Sequence, residues 1–439
     1  MPWVNLRLKT ADSQLVTTAD GQDFRTADVE YIADDEGLNG CRTYAELYPP
    51  TATKTTLLSG SGFIALLELM DGTRIIHEPR GEFSCTLYIP IDEDGKWKLI
   101  QNGCRIKVPM KYHDEMKPQI FTVTSHCKKM NNSGECTLTV EAEHISYVLR
   151  GVTLPREGAL KAAQRVLTSS ALASVISMIR TTVDFADVNY NTEILSVKQK
   201  ILDDFTITTE IPAGEPPIIV PEGVNFIDFL FNSYAAKYGA KIYRDNFTVT
   251  VCREMPDQKS AGTISYGQNL TEIDCEIDSS EVYSYVIASS STSLFVPIAR
   301  KNSAIPVYPK IKNIIVEYDT GTLGELSAES SVWNEVYRRL IADAEAWIDH
   351  HFRDRISLQV QFEDIEHNAL YSQFYGLRQH DAGDHVSVYH ADLGVMYEDL
   401  EIIRIEYDVC RQKIRSADIG DFRLSLTRNN NTFENIREV

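Results

Sequence analysis

The chain has 439 residues, 43% of them hydrophobic and 24% charged, with a formal net charge of −20. At roughly 100–200 residues per domain this length predicts two to four domains, and the hydrophobic fraction excludes wholesale disorder. The acidic balance excludes a general nucleic-acid binder, which needs basic surface to displace counterions from phosphates, and it argues against docking on an anionic membrane. No run reaches the roughly 18–20 apolar residues that span a bilayer. The opening MPWVNLRLKTADSQ lacks an apolar signal core, which predicts folding in a cytoplasm.

Residues 1–56 read as an N-terminal arm or extension. A short strand candidate occupies 3–8, and the tripeptide Thr-Ala-Asp recurs at 10–12, 18–20 and 26–28. Successive short hairpins would give that period; so would chance duplication, since the flanking residues do not repeat. The segment ends in Pro49-Pro50-Thr51-Ala52-Thr53, an extended link.

From 57 to 152 strand follows strand. Residues 63–70 (FIALLELM) run into the turn Asp71-Gly72 and then 74–77 (RIIH). Residues 85–90 stop at Asp92-Glu93-Asp94-Gly95, and 105–108 precede a long hairpin of 120–124 with 136–142. Regular turn signals between β-rich runs predict a first small β-barrel or sandwich.

Residues 153–260 predict an α+β module. An Ala- and Leu-rich helix is expected at 156–168 behind Pro155, and a second at 171–179 capped by Ser170. A loop with Pro212, Pro216, Pro217 and Pro221 leads to Asn225, the expected cap of a helix over 226–238 that Gly239 ends. A hairpin of 241–244 with 247–251 turns at Asp245-Asn246.

Residues 261–439 are β-rich again, with one helix. Counted at 100° per residue from Trp333, residues Val336, Tyr337, Leu340, Ile341, Ala344, Trp347, Ile348 and His351 share one stripe of about 140°. That pattern predicts an amphipathic helix over 331–352. Strands are expected at 356–362, 385–389, 400–408 and 423–427, with a frayed tail from Asn429. The fold class expected is therefore α+β and β-dominated: two small β-barrels, an α+β module between them, and an amphipathic helix in the second.

Reactive chemistry is sparse. Eight cysteines, at 41, 85, 104, 127, 136, 252, 275 and 410, show no C-x-x-C, which excludes a zinc ribbon and a regular disulfide framework. Most sit in apolar stretches, where a free thiol packs as a small hydrophobe. A two-residue turn at Asn131-Asn132 would set Cys127 opposite Cys136, although a cytoplasmic origin favours reduced thiols.

The ten histidines include His350-His351, His367, His380, His385 and His390, but no H-E-x-x-H. His351 lies at the centre of the apolar stripe and reads as a packed imidazole. On one strand His385 and His390, five apart, would face opposite sides, as would the neighbours His126 and Cys127. Neither G-x-S-x-G nor a phosphate-binding glycine loop occurs, and Gly60-Ser61-Gly62 has the wrong spacing. The acidic clusters Asp34-Asp35-Glu36, Asp92-Glu93-Asp94 and Asp203-Asp204 read as solvated turns. No catalytic, cofactor-binding or metal-binding residue is predicted, no cofactor is expected, and the chain is not expected to be an enzyme.

The order of its blocks carries more. The segment Ile120-Phe121-Thr122-Val123-Thr124 followed by Leu138-Thr139-Val140-Glu141-Ala142-Glu143-His144-Ile145-Ser146-Tyr147-Val148-Leu149 resembles the "F-x-I … V-x-A-E-H-I-S-Y-x-L" segment of phage tail hub proteins, the N-terminal regions of tail-associated lysins. That family is often labelled prophage endopeptidase tail or phage minor structural protein, and it is related to baseplate central hubs. Gly262-Thr263-Ile264-Ser265-Tyr266-Gly267-Gln268-Asn269-Leu270 with Glu276-Ile277-Asp278-Ser279-Ser280-Glu281-Val282 is similar to its second block. The helix at 331–352 followed by Gly383-Asp384-His385-Val386-Ser387-Val388 matches a third, and Arg404-Ile405-Glu406-Tyr407-Asp408 with Ile419-Gly420 a fourth. The collinear matches cover about residues 60–428.

The resemblance implies a structural virion protein, assembled in the host cytoplasm. It implies a homotrimeric ring at the distal end of a tail tube, with two tube-type barrels per chain giving pseudo-sixfold symmetry. Its implied partners are a tail tube or distal tail protein above, tip, spike or baseplate proteins below, and the end of a tape-measure protein. DNA would only pass through, and no membrane binding is implied. Longer relatives append peptidoglycan-cleaving domains beyond the point where this chain stops, so the endopeptidase label is not expected to carry over. The alternatives are a tail-associated peptidoglycan hydrolase, suggested by the label and the carboxylates, and a host-surface or glycan binder, suggested by the 21 tyrosines. In a ring, part of the −20 charge is expected to face the lumen and repel passing DNA.

Overall fold

Alternation of buried and half-exposed side chains builds the first part of the chain. The computed structural model describes residues 43–112, 115–132, 134–155, 166–167, 172–182, 188–212, 218–256, 260–266, 270–279, 282–290, 295–299, 310–316, 331–351, 355–362, 381–420 and 436–438. Its first strands are Thr43–Tyr48 (β1), Ala65–Leu69 (β2), Arg74–His77 (β3), Phe83–Pro90 (β4), Arg105–Val108 (β5), Gln119–Met130 (β6) and Cys136–His144 (β7). Strand β1 lies inside the segment expected as an arm, yet it pairs with β2 on one side and β5 on the other and buries Ala45, Leu47 and Tyr48. A short helix, Lys54–Ser59 (α1), bridges β1 and β2. Thr53 caps it by accepting from the Thr56 N–H, and Gly60 ends it in the left-handed conformation.

The long β6–β7 hairpin forms as expected, but its connection differs. The Asn131 N–H donates to the Glu135 carbonyl at 3.0 Å, and the Asn131 side-chain oxygen accepts from the Glu135 N–H at 2.9 Å. This longer closure sets Met130 opposite Cys136 and Cys127 opposite Thr139. Cys127 and Cys136 are therefore not partners; both are exposed free thiols.

The α+β module follows. Helices Leu172–Thr181 (α2) and Val188–Asp204 (α3) precede Thr206–Thr209 (β8). Strand β8 runs parallel to one arm of the hairpin Lys241–Asp245 (β9) and Thr248–Cys252 (β10). Helix α3 has no clear signature in sequence, because it opens on Val-Asn-Tyr-Asn-Thr, residues of modest helix propensity. Of the helix expected at 156–168, Val166–Leu167 is a two-residue strand paired with Ile218–Ile219, and the rest lies outside the described residues, as does Ser170. Asn225 caps Phe226–Asp228 (α4) by accepting from the Asp228 N–H, and the helix continues with π geometry over Phe229–Ala235 before Gly239 at φ +59°.

The remaining strands are Ser260–Ser265 (β11), Leu270–Asp278 (β12), Tyr285–Ser290 (β13), Phe295–Ala299 (β14), Ile311–Val316 (β15), Arg355–Phe362 (β16), His385–His390 (β17), Val395–Asp408 (β18), Lys413–Gly420 (β19) and Ile436–Glu438 (β20). Strand β20 lies in the tail expected to fray; it is held by pairing with β15. The expected strand at 423–427 lies outside the described residues. The amphipathic helix is present as Ser331–His350 (α5) and covers a small sheet of its own, ordered β14-β13-β15-β20. Leu340, Ala344, Trp347 and Ile348 pack there against Val286, Ala288 and Ile314. Tyr337, expected on the buried stripe, is instead 45% exposed.

The element that organises all of this is one large, mostly antiparallel sheet, ordered β12-β16-β19-β18-β3-β4-β7-β6-β5-β1-β2, with β17 and β11 branching from β18. Residues Ile405–Asp408 of β18 pair antiparallel with Arg74–His77 of β3, so the two β-rich parts of the chain share a sheet across about 330 residues of sequence. They also share one core, in which Phe83, Cys85 and Val140 from the first part join Ile405, Tyr407 and Ile419 from the second. Gly420 sits where β19 meets β16, at φ +120°, and a Cβ there would lie 2.2 Å from the Ile356 carbonyl oxygen. Gly420→Ala is expected to cost at least the roughly 1–3 kcal/mol of a strained backbone position and to lower the thermal unfolding midpoint. Scanning calorimetry on the full chain checks this.

Candidate functional site at the module junction

The tight turn between β3 and β4, residues 78–82, is where the modules meet. It closes on itself through the Glu78 N–H to the Glu82 carbonyl at 2.7 Å and the Gly81 N–H to the Glu78 carbonyl at 3.2 Å. Arg244 of β9, fully buried, reaches the carbonyls of this turn. Its Nη2 donates to the carbonyls of Glu78 at 2.7 Å, Gly81 at 3.1 Å and Glu82 at 3.3 Å, and its Nη1 faces the Tyr147 hydroxyl at 3.4 Å. The guanidinium also lies over the rings of Phe83 at 5.2 Å and Phe231 at 5.1 Å. Planarity and a fixed fork of donors suit arginine, and not lysine, to this position. The neighbouring Ile242 N–H donates to the Pro79 carbonyl at 2.8 Å, extending the attachment.

A second attachment lies one strand away. His144, fully buried at the end of β7, accepts from the Ser146 N–H through Nδ1 at 3.3 Å, which places its proton on Nε2, 3.3 Å from the Gln119 side-chain oxygen. The same oxygen accepts from the Asn246 N–H at 3.2 Å, and the Gln119 amide donates to Asp245 Oδ1 at 3.1 Å. Asn246 in turn accepts from the Ile120 N–H at 2.9 Å. Burial, reinforced by the Arg244 charge, holds the His144 imidazole well below its usual range. The ring stacks on Phe83 at 4.3 Å. The block quoted above for the resemblance, Glu143 to Tyr147, is thus the part of the first β region that grips the α+β hairpin: His144 through Gln119, Tyr147 through Arg244, and Ile145 in the core beneath.

The contact with the second β region is polar. Lys241, on β9, is almost fully buried and directs its ammonium to Glu401 Oε1 at 3.2 Å and the Gly383 carbonyl at 3.4 Å. Arg80 in the turn reaches the other Glu401 oxygen at 3.9 Å. Arg404 of β18 bridges Glu78 at 3.4 Å and Asp418 at 3.6 Å. A cleft of about 410 Å³ opens beside these groups, lined by Arg80, Lys241, Arg253, Glu254, His385, Asp399 and Glu401. Its cations and anions are mixed, and the imidazole it contains, His385, is bonded to Asp399 at 2.9 Å. This arrangement ties surfaces together; it does not align a nucleophile with a base.

The other residues singled out in the sequence are dispersed. His351 is buried, donates to the Trp347 carbonyl at 2.8 Å and stacks on Trp347 at 4.0 Å. His385 and His390 sit on β17, the second stacked on Tyr266 at 4.3 Å. His126 meets Asn102, Asp92 accepts from the Gly95 N–H, and Asp203 pairs with Arg180 at 2.8 Å. His367, His380 and Asp34-Asp35-Glu36 lie outside the described residues. Among the described residues no group of three or more His, Cys, Asp or Glu could hold a metal ion, and no helix is long and apolar enough to cross a membrane. Sequence reasoning missed Arg244. Its signal was a lone arginine at the same strand parity as Ile242, where alternation calls for an apolar side chain.

No family model and no curated relative matches the sequence. Solved structures match its fold over most of their length and of this chain. A prophage tail protein, gp18, from Listeria monocytogenes EGD-e aligns with TM-score 0.51 and 12% identity, over 87% of this chain and 96% of that one. A tail protein from Neisseria meningitidis MC58 gives 0.54 and 10%, over 86% and 96%. The 43 kDa tail protein of prophage MuSo2 from Shewanella oneidensis gives 0.53 and 11%, over 87% and 98%. At these identities the likeness is one of fold: the chain has the fold of prophage tail proteins.

Two outcomes follow for the junction. Arg244→Met keeps the bulk but removes the guanidinium that donates to three turn carbonyls. It is expected to destabilise the chain by about 2–4 kcal/mol, the scale of lost charge-assisted hydrogen bonds, and to raise amide hydrogen exchange in the 78–82 turn and in β9. For His144 the folded pKa lies below the unfolded one, so the unfolded state binds more protons between the two. Its contribution to stability is complete above the ordinary imidazole pKa of about 6.5 and falls as pH drops below it, by up to about 1.4 kcal/mol per pH unit. Denaturation between pH 5 and 8 is expected to show that slope, and His144→Gln to flatten it.

Proposed function

We propose that the chain is a structural phage tail protein that forms a trimeric distal hub ring, joining the tail tube to the tip or baseplate and giving passage to DNA. The observation that carries this reading is the continuous sheet, taken together with the shared fold of prophage tail proteins. The run β12-β16-β19-β18-β3-β4-β7-β6 contains four strands from each β region, joined at β18 and β3. Two such halves per chain suit the pseudo-sixfold ring that the sequence resemblance implies, because three copies would supply six. Each half corresponds to one of the two tube-type barrels of that reading, with the α+β module outside them.

The polar face of this run bears on the DNA passage. Register places Glu141, Glu143, Asp274, Glu276, Glu406 and Asp418 on one face, against Arg74, Lys129, Arg404 and Lys413. Carboxylates outnumber the bases there, which suits a lumen that must not bind the DNA it conducts. In this reading the partners are a tail tube protein above, a tip or spike protein below and the tape-measure end inside. The protein acts in the virion after assembly in the host cytoplasm, and no bond is made or broken.

Native mass spectrometry of the purified chain and cryo-electron microscopy of particles test the reading together. A trimer in solution and a ring of this chain at the end of the tail tube are the expected results. A chain that stays monomeric at high concentration and is absent from the tail end would overturn it.

A further inference from the structure

A gap opens where β2 and β4 come together. Pairing of β4 with β3 stops at Thr86, and beyond it the Met70 N–H donates to the Tyr88 carbonyl at 2.8 Å. Two residues further, an antiparallel ladder would need an N–H from Pro90 opposite Glu68, and proline has none. There the two strands are unpaired. A one-turn helix, Lys96–Leu99, stands across the gap, and a cavity of about 150 Å³ remains between them.

Three kinds of wall meet in this cavity. One is apolar, from Leu67, Ile89 and Pro90, the first two buried. The second is aromatic, from Tyr44 of β1 and Trp97 of the short helix. The Trp97 indole N–H donates to the Asp92 carbonyl at 3.3 Å, which holds the ring before anything binds. The third is acidic and comes from two separate elements. Glu68 on β2 and Asp92 and Asp94 in the turn after β4 stand there against Lys96 alone. As a run of carboxylates, Asp92-Glu93-Asp94 would be only a solvated turn; the cavity and its aromatic wall make a site of it.

The chain's own lysines show which charge the place attracts. Lys96 Nζ lies 3.5 Å from Asp94, and Lys128 and Lys98 stand over the Trp97 ring at 4.7 and 5.4 Å. Those three ammonium groups are still outnumbered by four carboxylates, Glu68, Asp92, Glu93 and Asp94.

We infer that this cavity receives an arginine side chain from a basic segment of a partner protein. Its size admits one long side chain and no folded segment. The aliphatic stem would lie along Leu67, Ile89 and Pro90. The planar guanidinium would meet the indole, and its fork would reach carboxylates on both sides. Lysine offers a point charge without the plane or the fork, so it fits less well. A net charge of −20 draws a basic partner in. The site belongs to the first β region and stands whether or not the chain forms a ring.

Fluorine NMR of the full chain carrying 5-fluorotryptophan tests it. The sequence has four tryptophans, and Trp97→Phe identifies the resonance. Titration with the peptide acetyl-Gly-Arg-Gly-amide is expected to shift that resonance. The lysine peptide should bind about threefold more weakly, and the citrulline peptide, neutral but of the same shape, about tenfold more weakly. Glu68→Gln with Asp94→Asn is expected to lower arginine-peptide affinity about tenfold with an unchanged circular dichroism spectrum.

A citrulline or lysine peptide that binds as tightly as the arginine one overturns the inference, and so does a Trp97 resonance that the arginine peptide leaves unmoved. Glucose that moves the resonance where the arginine peptide does not would make the cavity a saccharide site and equally overturn it. If the double variant misfolds, the comparison of arginine with citrulline on the wild type decides.

Discussion

A buried guanidinium met by backbone carbonyls is the interaction on which the arrangement of modules depends. Arg244 donates to three carbonyls of a five-residue turn, adding to the Gly81 N–H, the Tyr147 hydroxyl and the Glu78 N–H that those carbonyls also accept from, and it brings its own hairpin with it. Placing a charge inside a protein is costly unless it is met by partners, and here carbonyl dipoles meet Nη2 while aromatic rings meet the plane. The turn, the hairpin and the ring of Phe83 therefore stand or fall as one unit. Because that turn also joins β3 to β4, the position of the α+β module is tied directly to the sheet.

The same turn faces the second β region, but there the contact is of another kind. Glu401 receives Lys241 and Arg80, and Arg404 receives Glu78, across a solvent-reaching cleft. One side of the α+β module is thus fixed by a dry, aromatic-lined contact, and the other by the ion pair of the buried Lys241 with Glu401. Beneath both, pairing of β3 with β18 and a common hydrophobic core make the two β regions one mechanical body.

The sheet brings its own constraint. Among the described residues the sheet does not close on itself, and the edges this leaves must be covered, blunted or paired. Strand β12 carries a row of carboxylates, and the β6 hairpin projects with its lysines exposed. Like charges along an edge disfavour the pairing of that edge with a second copy of itself.

Much of this was legible in the sequence, because local patterns have local causes. The β6–β7 hairpin, the Asn225-capped helix ended by Gly239, the β9–β10 hairpin and the amphipathic α5 all follow from periodicity, capping and turn chemistry. What sequence missed has non-local causes. Helix α3 opens on residues of weak propensity and forms because it packs; β1 and β20 look like loose ends and are strands because partners lie across the fold; the Cys127–Cys136 register failed on a turn closed by one asparagine. For the candidate site, the block from Glu143 to Tyr147 stood out as a resemblance, but its role in gripping the hairpin did not. Composition, alternation and the collinear blocks by themselves determined a β-dominated chain of several modules with no catalytic signature. Only the tertiary structure decided that its two β regions are one sheet and that Arg244 locks the third module to it, because strand pairing across some 330 residues and the burial of a single charge depend on neighbours that sequence spacing does not encode.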